Sequence, residues 1–492
     1  MTVRSGRRRF AGAAAALALA AALLACGGGG GRRERGPGSA AWESPAAQPL
    51  AAGIEERLRA VGVEERFLEA GWLEGAGGAV RLAKAPLARR AAGGRTTLVV
   101  RGAAPEGEAV PRALATELRS LLAEADGRGL RPAGIHLDLE PFPAPSRLFE
   151  LLGPLRETLP GDRLLSITVP RAALGDRELA RLADLTDFWV VFLFGQRPGE
   201  REDLAYWDFY RTEQDARRVE EIGEPFLLGV STLAALSRLD ARGEVREERT
   251  AFHLFPLLAH RSLEMVPGSL LLGVDRQVVE LRTRGRLAVE GWSLEPRERL
   301  RMVRAPVHLV EELERLAGSW GLARHLGQLY FRLPEPGEVL SLSGAAIAAA
   351  LEPGPATPEL RAEVESLPAP RGRFRFRIRL RNASDLATEI ATLEHNFVAL
   401  AVPGARVAEV ELGEFVRYDL ARSDARGERR GVLRADEVRL FAPIVEGGAE
   451  LESGPIELVA GGGTVRVRVA LDFLLPDGRV FSPPAEEWEI GG

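Results

Sequence analysis

The chain predicts a (β/α)8 barrel followed by a small C-terminal β-sandwich, and three observations carry that expectation. Short apolar runs alternate with amphipathic helical segments between residues 67 and 336. One of these runs, DFWVVFLFG at 187–195, is apolar almost throughout, as a strand buried on both faces must be. Beyond residue 373 the pattern changes to strict two-residue alternation, the mark of an antiparallel sheet wet on one side.

The elements follow in order. FLEAGWLEG (67–75) and RTTLVVRG (95–102) read as early strands. The stretch 110–127 carries apolar residues at helical spacing and ends in glycine. A strand at 134–141 (GIHLDLEP) leads to a helix at 146–159, and a strand at 163–170 to a helix at 176–185. After the buried run come a helix at 213–223 and a strand at 225–233. Further strands are expected at 269–275 and 327–336, the second preceded by a helix at 307–321. Repeated strand–helix units imply a parallel sheet with helical crossovers. The length favours a closed barrel over an open doubly wound sheet. No glycine-rich phosphate loop follows an early strand, which disfavours dinucleotide binding.

The barrel is assigned to 51–351 and a proline-rich, polar linker to 352–372. The β-sandwich then fills 373–492. In RFRFRIRLRN (373–382), Phe374, Phe376, Ile378 and Leu380 share one face and arginines the other. Such an arginine stripe reads as the solvated face of a sheet; an anionic polymer is the alternative. VRLFAPIV (438–445), GPIELVA (454–460) and a hairpin turning at Asp477–Gly478 supply the remaining strands.

The N-terminus sets the compartment. A basic segment, MTVRSGRRRF, precedes an uncharged Ala/Leu run, together the charged and apolar regions of a secretory signal (1–25). The run is shorter than the roughly 20 residues of a membrane span. It ends in Leu23-Leu24-Ala25-Cys26, which resembles the lipobox of bacterial lipoproteins. That resemblance implies cleavage before Cys26 and lipidation there, so the bilayer is an expected partner. Residues 26–50, opening with a Gly-rich charged stretch, read as a flexible tether. Gly27 stands where an Asp would imply inner-membrane retention, so the expectation is the cell envelope, at the outer membrane or cell surface.

Composition sets further limits. At 492 residues two domains are expected. A net charge of -5 argues against a nucleic-acid partner. The single cysteine, Cys26, can form no internal disulfide. The histidines (136, 253, 260, 308, 325 and 395) lack the paired spacing of a zinc site, and the reading calls for no metal and no cofactor.

One strand carries chemistry. In AGIHLDLEPF (133–142), Ile135, Leu137 and Leu139 share one face, and His136, Asp138 and Glu140 the other. In a parallel barrel, functional groups sit at the carboxyl ends of strands, where Glu140 lies. The strand resembles the signature of chitinase-type glycoside hydrolases (family 18), Asp-Gly-x-Asp-x-Asp-x-Glu. Gly134, Asp138 and Glu140 match, while Ala133 and His136 stand at aspartate positions. The longer layout resembles more closely an uncharacterised bacterial family with a glycosidase-like barrel, domain-of-unknown-function family 3142.

The resemblance implies Glu140 as general acid/base and Asp138 as the group that positions an acetamido substituent or holds the intermediate. Carboxylates two apart on a strand, about 6.5 Å between Cα atoms, repel, and burial adds to this. One of them would then stay protonated, as glycosidic leaving-group departure requires. His136 is counted with the substrate-binding residues, where it either pairs with Asp138 or is a core histidine satisfied by a neighbour. Sugar stacking would fall to Trp189, Tyr206, Trp207, Tyr210, Trp292 and Tyr330, which could equally pack the rim. Two functions stay open: hydrolysis of an N-acetylated or related polysaccharide, and a catalytically inactive glycan-binding or structural envelope lipoprotein.

Overall fold

The computed structural model describes residues 38–492 except 48–49, 77–78, 88–93, 108, 193–208, 268, 270, 273–276, 355–356, 385, 392–394, 425–426, 431–434, 462, 477 and 492. The signal, Cys26, Tyr206 and Trp207 therefore lie outside the described residues.

Eight parallel strands form the barrel: β1 (Ser39–Glu43), β2 (Val63–Ala76), β3 (Arg95–Gly102), β4 (Gly134–Leu139), β5 (Leu164–Pro170), β6 (Phe188–Phe192), β7 (Phe226–Ser231) and β8 (His325–Phe331). Each pairs with its neighbour in chain order, and β8 returns to β1, so no edge is left open. The first strand corrects the sequence reading, which placed residues 39–43 in the tether. Ala40 and Trp42 share β1's inner face, where Ala40 pairs in register with Leu329 of β8 and Trp42 with Phe67 of β2. A five-residue strand with no flanking helix behind it gives too little periodicity to be read alone.

Helices cover the outside. After β1 comes α1 (Ala52–Ala60), after β3 α2 (Val110–Gly127), after β4 α3 (Pro145–Thr158), and before β7 α4 (Phe209–Ile222). The longest, α2, buries Val110, Leu114, Leu118, Leu121, Leu122 and Ala125 on one stripe, with Pro111 in its first turn where no amide partner is lost. Burying each of those leucines contributes about 2 kcal/mol. The segment 176–185, expected as a helix, forms only a short 3-10 turn, Leu179–Leu182.

Between β7 and β8 the chain leaves the barrel. Antiparallel strands Ala234–Leu239, Val245–Arg249, Leu263–Met265, Gln277–Thr283 and Arg299–Arg304 form a separate sheet with its own apolar cluster, including Leu236, Phe252, Trp292 and Met302. Within the run at 269–275, the described Leu271–Leu272 form a short strand paired antiparallel with Gln277–Thr283 and not a barrel stave. The chain re-enters through α5 (Val307–Ser319), and α6 (Gly344–Leu351) follows β8.

Two antiparallel sheets make up the C-terminal part. The first includes Leu360–Leu367 paired with Arg373–Asn382, so the segment read as a linker is partly a strand. Its alternation is legible only beside its partner: Leu360 and Ala362 are buried, with charged residues between them. Both sheets feed one apolar cluster, Phe374, Phe376 and Ile378 from the first, Leu440, Val467 and Phe473 from the second. An ion pair between Arg304 and Glu389, almost fully buried, joins this part to the inserted sheet. Among the described residues no helix is long and apolar enough to cross a membrane.

Candidate functional site at the carboxyl end of the barrel

Strand register decides which side chains enter the barrel. Arg101 of β3 pairs in register with Asp138 of β4, and His136 with Ser166 of β5. Residues in parallel register point the same way, so Val99, Arg101, His136, Asp138, Ser166 and Thr168 share the interior, while Ile135 and Leu137 pack outward. The alternation read from AGIHLDLEPF is the one the barrel uses.

His136 lies deepest and is fully buried. Its Nδ1 lies 2.9 Å from Ser166 Oγ and its Nε2 2.9 Å from Thr168 Oγ1. Trp42 and Phe67 present their rings at 5.7 and 5.2 Å, both edge-on. Burial drives the imidazole pKa down to about 3, so the ring is neutral. Of the two readings of this residue, the satisfied core histidine is the one found. It does not reach the mouth, which removes it from the substrate-binding set.

Above it sits a charged cluster. Asp138 is 1% exposed, and Arg101 Nε donates to its Oδ2 at 2.9 Å. Arg101 Nη1 lies 3.6 Å from Glu69 Oε2, and Trp42 Nε1 donates to the same oxygen at 3.5 Å. The guanidinium lies over Trp72 at 4.8 Å, with Trp42 and Phe331 at 5.8 and 5.9 Å. A bulge between Glu69 and Gly71 of β2 brings Trp72 level with Arg101. Trp72 is 44% exposed, a large ring open to solvent at this end. Burial, the largest influence, raises the Glu69 carboxyl, and the nearby Asp138 charge adds to it; Arg101 and Arg332 oppose. Glu140 follows the last residue of β4, half-buried, its amide donating to the Gly102 carbonyl at 3.0 Å.

Asp138 and Glu140 both lie at this end of the barrel. The cluster has members that sequence reading passed over: Glu69, Arg101, Trp42, Trp72 and Phe331. Their signal was present. Arg101 closes an apolar strand at the end where Glu140 closes the next, and Glu69 alternates with Phe67.

The aromatic set fares differently. Trp189 is fully buried on the outer face of β6, its Nε1 donating to Thr186 Oγ1 at 2.9 Å. Tyr330 is fully buried on the outer face of β8, its hydroxyl donating to Glu314 Oε1 at 2.9 Å. Trp292 is 5% exposed in the inserted sheet's core, with Arg249 stacked at 3.9 Å. None of these three rings is open for stacking, since alternation sent two of them outward and the inserted sheet claimed the third. Tyr210 begins α4, and nothing of its side chain is described.

Elsewhere the charges are matched. Arg377 and Arg379 of the arginine stripe pair with Glu365 and Glu452 of neighbouring strands, and Arg373 with Glu457. This stripe is a solvated, salt-bridged sheet face. Among the described residues no cluster of three or more His, Cys, Asp or Glu could hold a metal ion.

No protein-family model and no curated protein matches the chain. Solved structures do. The spore cortex-lytic enzyme SleL of Bacillus cereus aligns at 12% identity and a TM-score of 0.43, over 64% of this chain and 74% of that one. A class V chitinase from Pseudomonas fluorescens Pf-5 aligns at 15% identity and 0.42, over 64% and 98%. A fungal endo-β-N-acetylglucosaminidase of glycosyl hydrolase family 18 aligns at 13% identity and 0.36, over 65% and 99%.

Proposed function

We propose that this chain is a lipid-anchored envelope protein whose barrel hydrolyses an N-acetylated polysaccharide, with Glu140 as general acid/base. In this reading Glu140 protonates the glycosidic oxygen while the substrate's own acetamido oxygen attacks the anomeric carbon. Asp138 accepts the acetamido N–H and so aims that oxygen; Glu140 then activates the water that completes hydrolysis. Trp72 supplies the stacking face. The observation that carries the reading is the buried Asp138–Arg101 pair at the carboxyl end of the barrel, with Asp138 two residues before Glu140. A buried carboxylate with a cation beside it at the mouth of a barrel is costly to build and has no role in covering the core. The two C-terminal sheets belong to the same proposal as a sandwich, and Cys26 as the lipid attachment site.

Glu140→Gln keeps size and removes the titrating proton. Turnover of a chromogenic chito-oligosaccharide is expected to fall by about 10²–10⁴-fold. Full activity in that variant would take Glu140 out of the mechanism. A second reading, binding without cleavage, draws on His136, which stands neutral where the resemblance has a carboxylate. It predicts that wild type and Glu140→Gln bind the oligosaccharide alike and neither cleaves it.

A further inference from the structure

Arg101 reaches both Glu69 of β2 and Asp138 of β4 above His136. Its guanidinium forks: Nε goes to Asp138 and Nη1 faces Glu69. The fork cannot swing freely, because Trp72 covers it at 4.8 Å and Trp42 and Phe331 flank it. Glu69 is itself held by the Trp42 indole, so the far arm of the fork is anchored to β1. The charged groups acting on this cluster come from three strands and a loop: Glu69, Arg101, Asp138 and, just beyond β8, Arg332. Arg332 is tied up with Glu338 at 2.8 Å. Arg101 is thus a cation held directly against Asp138.

We propose that Arg101 is a positioning residue of this site: from the neighbouring strand it holds the Asp138 carboxylate in one set orientation. The inference rests on the glycan reading above and deepens it, because it settles what Asp138 can recognise. A carboxylate locked in this way accepts hydrogen bonds and gives none. It selects a sugar that offers an N–H donor, an acetamido group, and stabilises the positive charge that develops when that group attacks. It cannot deliver the proton to the leaving group, which stays with Glu140. Arg101 touches neither proton nor sugar; it acts through Asp138. Lysine cannot reproduce it, since a point charge does not span two carboxylates in a planar fork.

The test uses the full-length protein, Arg101→Met and Arg101→Lys, with matched N-acetylated and deacetylated chito-oligosaccharides. In Arg101→Met, kcat on the acetylated probe is expected to fall by about 10- to 100-fold, the worth of a charge-assisted hydrogen bond. KM should change little. Arg101→Lys should recover only part of kcat. If the protein binds without cleaving, the readout becomes selectivity, and Arg101→Met should lose its preference for the acetylated probe. A loss of fold in Arg101→Met leaves Arg101→Lys to decide, through the partial recovery of kcat. Wild-type kcat in Arg101→Met, or wild-type kcat in Arg101→Lys, would overturn this inference alone. A wild-type protein that neither cleaves nor binds either probe would overturn the glycan reading and this inference with it.

Discussion

At the residue scale, His136 shows how burial converts a titratable group into a structural one. Both ring nitrogens are committed to hydroxyls, and the ring is neutral with a pKa of about 3 against an ordinary 6.5. The sign of the consequence follows from linkage. Below pH 6.5 the unfolded chain takes up a proton that the folded chain refuses, so acid favours unfolding. Above pH 6.5 neither state is protonated and the group adds no pH dependence. Stability should therefore fall by about 1.4 kcal/mol per pH unit on this account as pH drops from 6.5 toward 3. Urea unfolding at pH 7, 5.5 and 4.5 checks it, and His136→Gln should flatten that limb. The same variant should lose about 1–3 kcal/mol at pH 7, since Ser166 and Thr168 lose a matched partner. An unchanged acid limb in His136→Gln would assign the acid sensitivity to other groups.

At the element scale, the barrel interior is an aromatic stack that only certain strand positions can house. Phe192 of β6 packs against Trp42 at 6.1 Å and Phe331 at 5.0 Å. It occupies the space that a side chain on Gly229, its register partner in β7, would need. A Cβ at residue 229 would overlap the Phe192 ring, so Gly229 is there for volume rather than for backbone freedom. Gly229→Ala should cost about 1–3 kcal/mol by overpacking, read as a lowered midpoint in thermal unfolding. Phe192→Leu in the same chain should recover part of the loss by vacating that space, and a double variant no better than Gly229→Ala would refute the overlap. The strands themselves were legible because both faces of β6 are buried and its apolar run is continuous. β1 was not. A short Ala-rich strand has no pattern until β2 and β8 stand on either side of it.

At the scale of the whole molecule, the proposed anchor and the barrel are linked by the segment between Cys26 and Ser39, where β1 begins. The last part of the sequence read as tether is therefore a stave, which leaves residues 26–38 as the tether of the proposed anchor. Membrane attachment by Cys26 predicts that Cys26→Ser moves the protein from the detergent phase to the aqueous phase while its thermal midpoint stays put. Attachment that survives the substitution would refute the lipid anchor. At the other end, the inserted sheet and the C-terminal sheets are joined through Arg304 and Glu389, and Ile390 and Ile444 complete the inserted sheet's apolar cluster. The C-terminal part is thus seated on the molecule rather than hung from a linker.

The sequence by itself determined whatever depends on neighbours along the chain. Period-two alternation put His136 and Asp138 on one face of one strand, and 3.6-residue spacing placed the helices that cover the barrel. Tertiary structure decided everything that depends on the strand next door. It paired Asp138 with Arg101, 37 residues earlier, and set Glu69 and Trp72 beside them through a bulge that has no mark in composition. It also turned Trp189 and Tyr330 away from the mouth, because whether an aromatic on a doubly buried strand faces barrel or helix is decided by register. Both faces of such a strand are apolar, so the residues alone hold no record of which side is in.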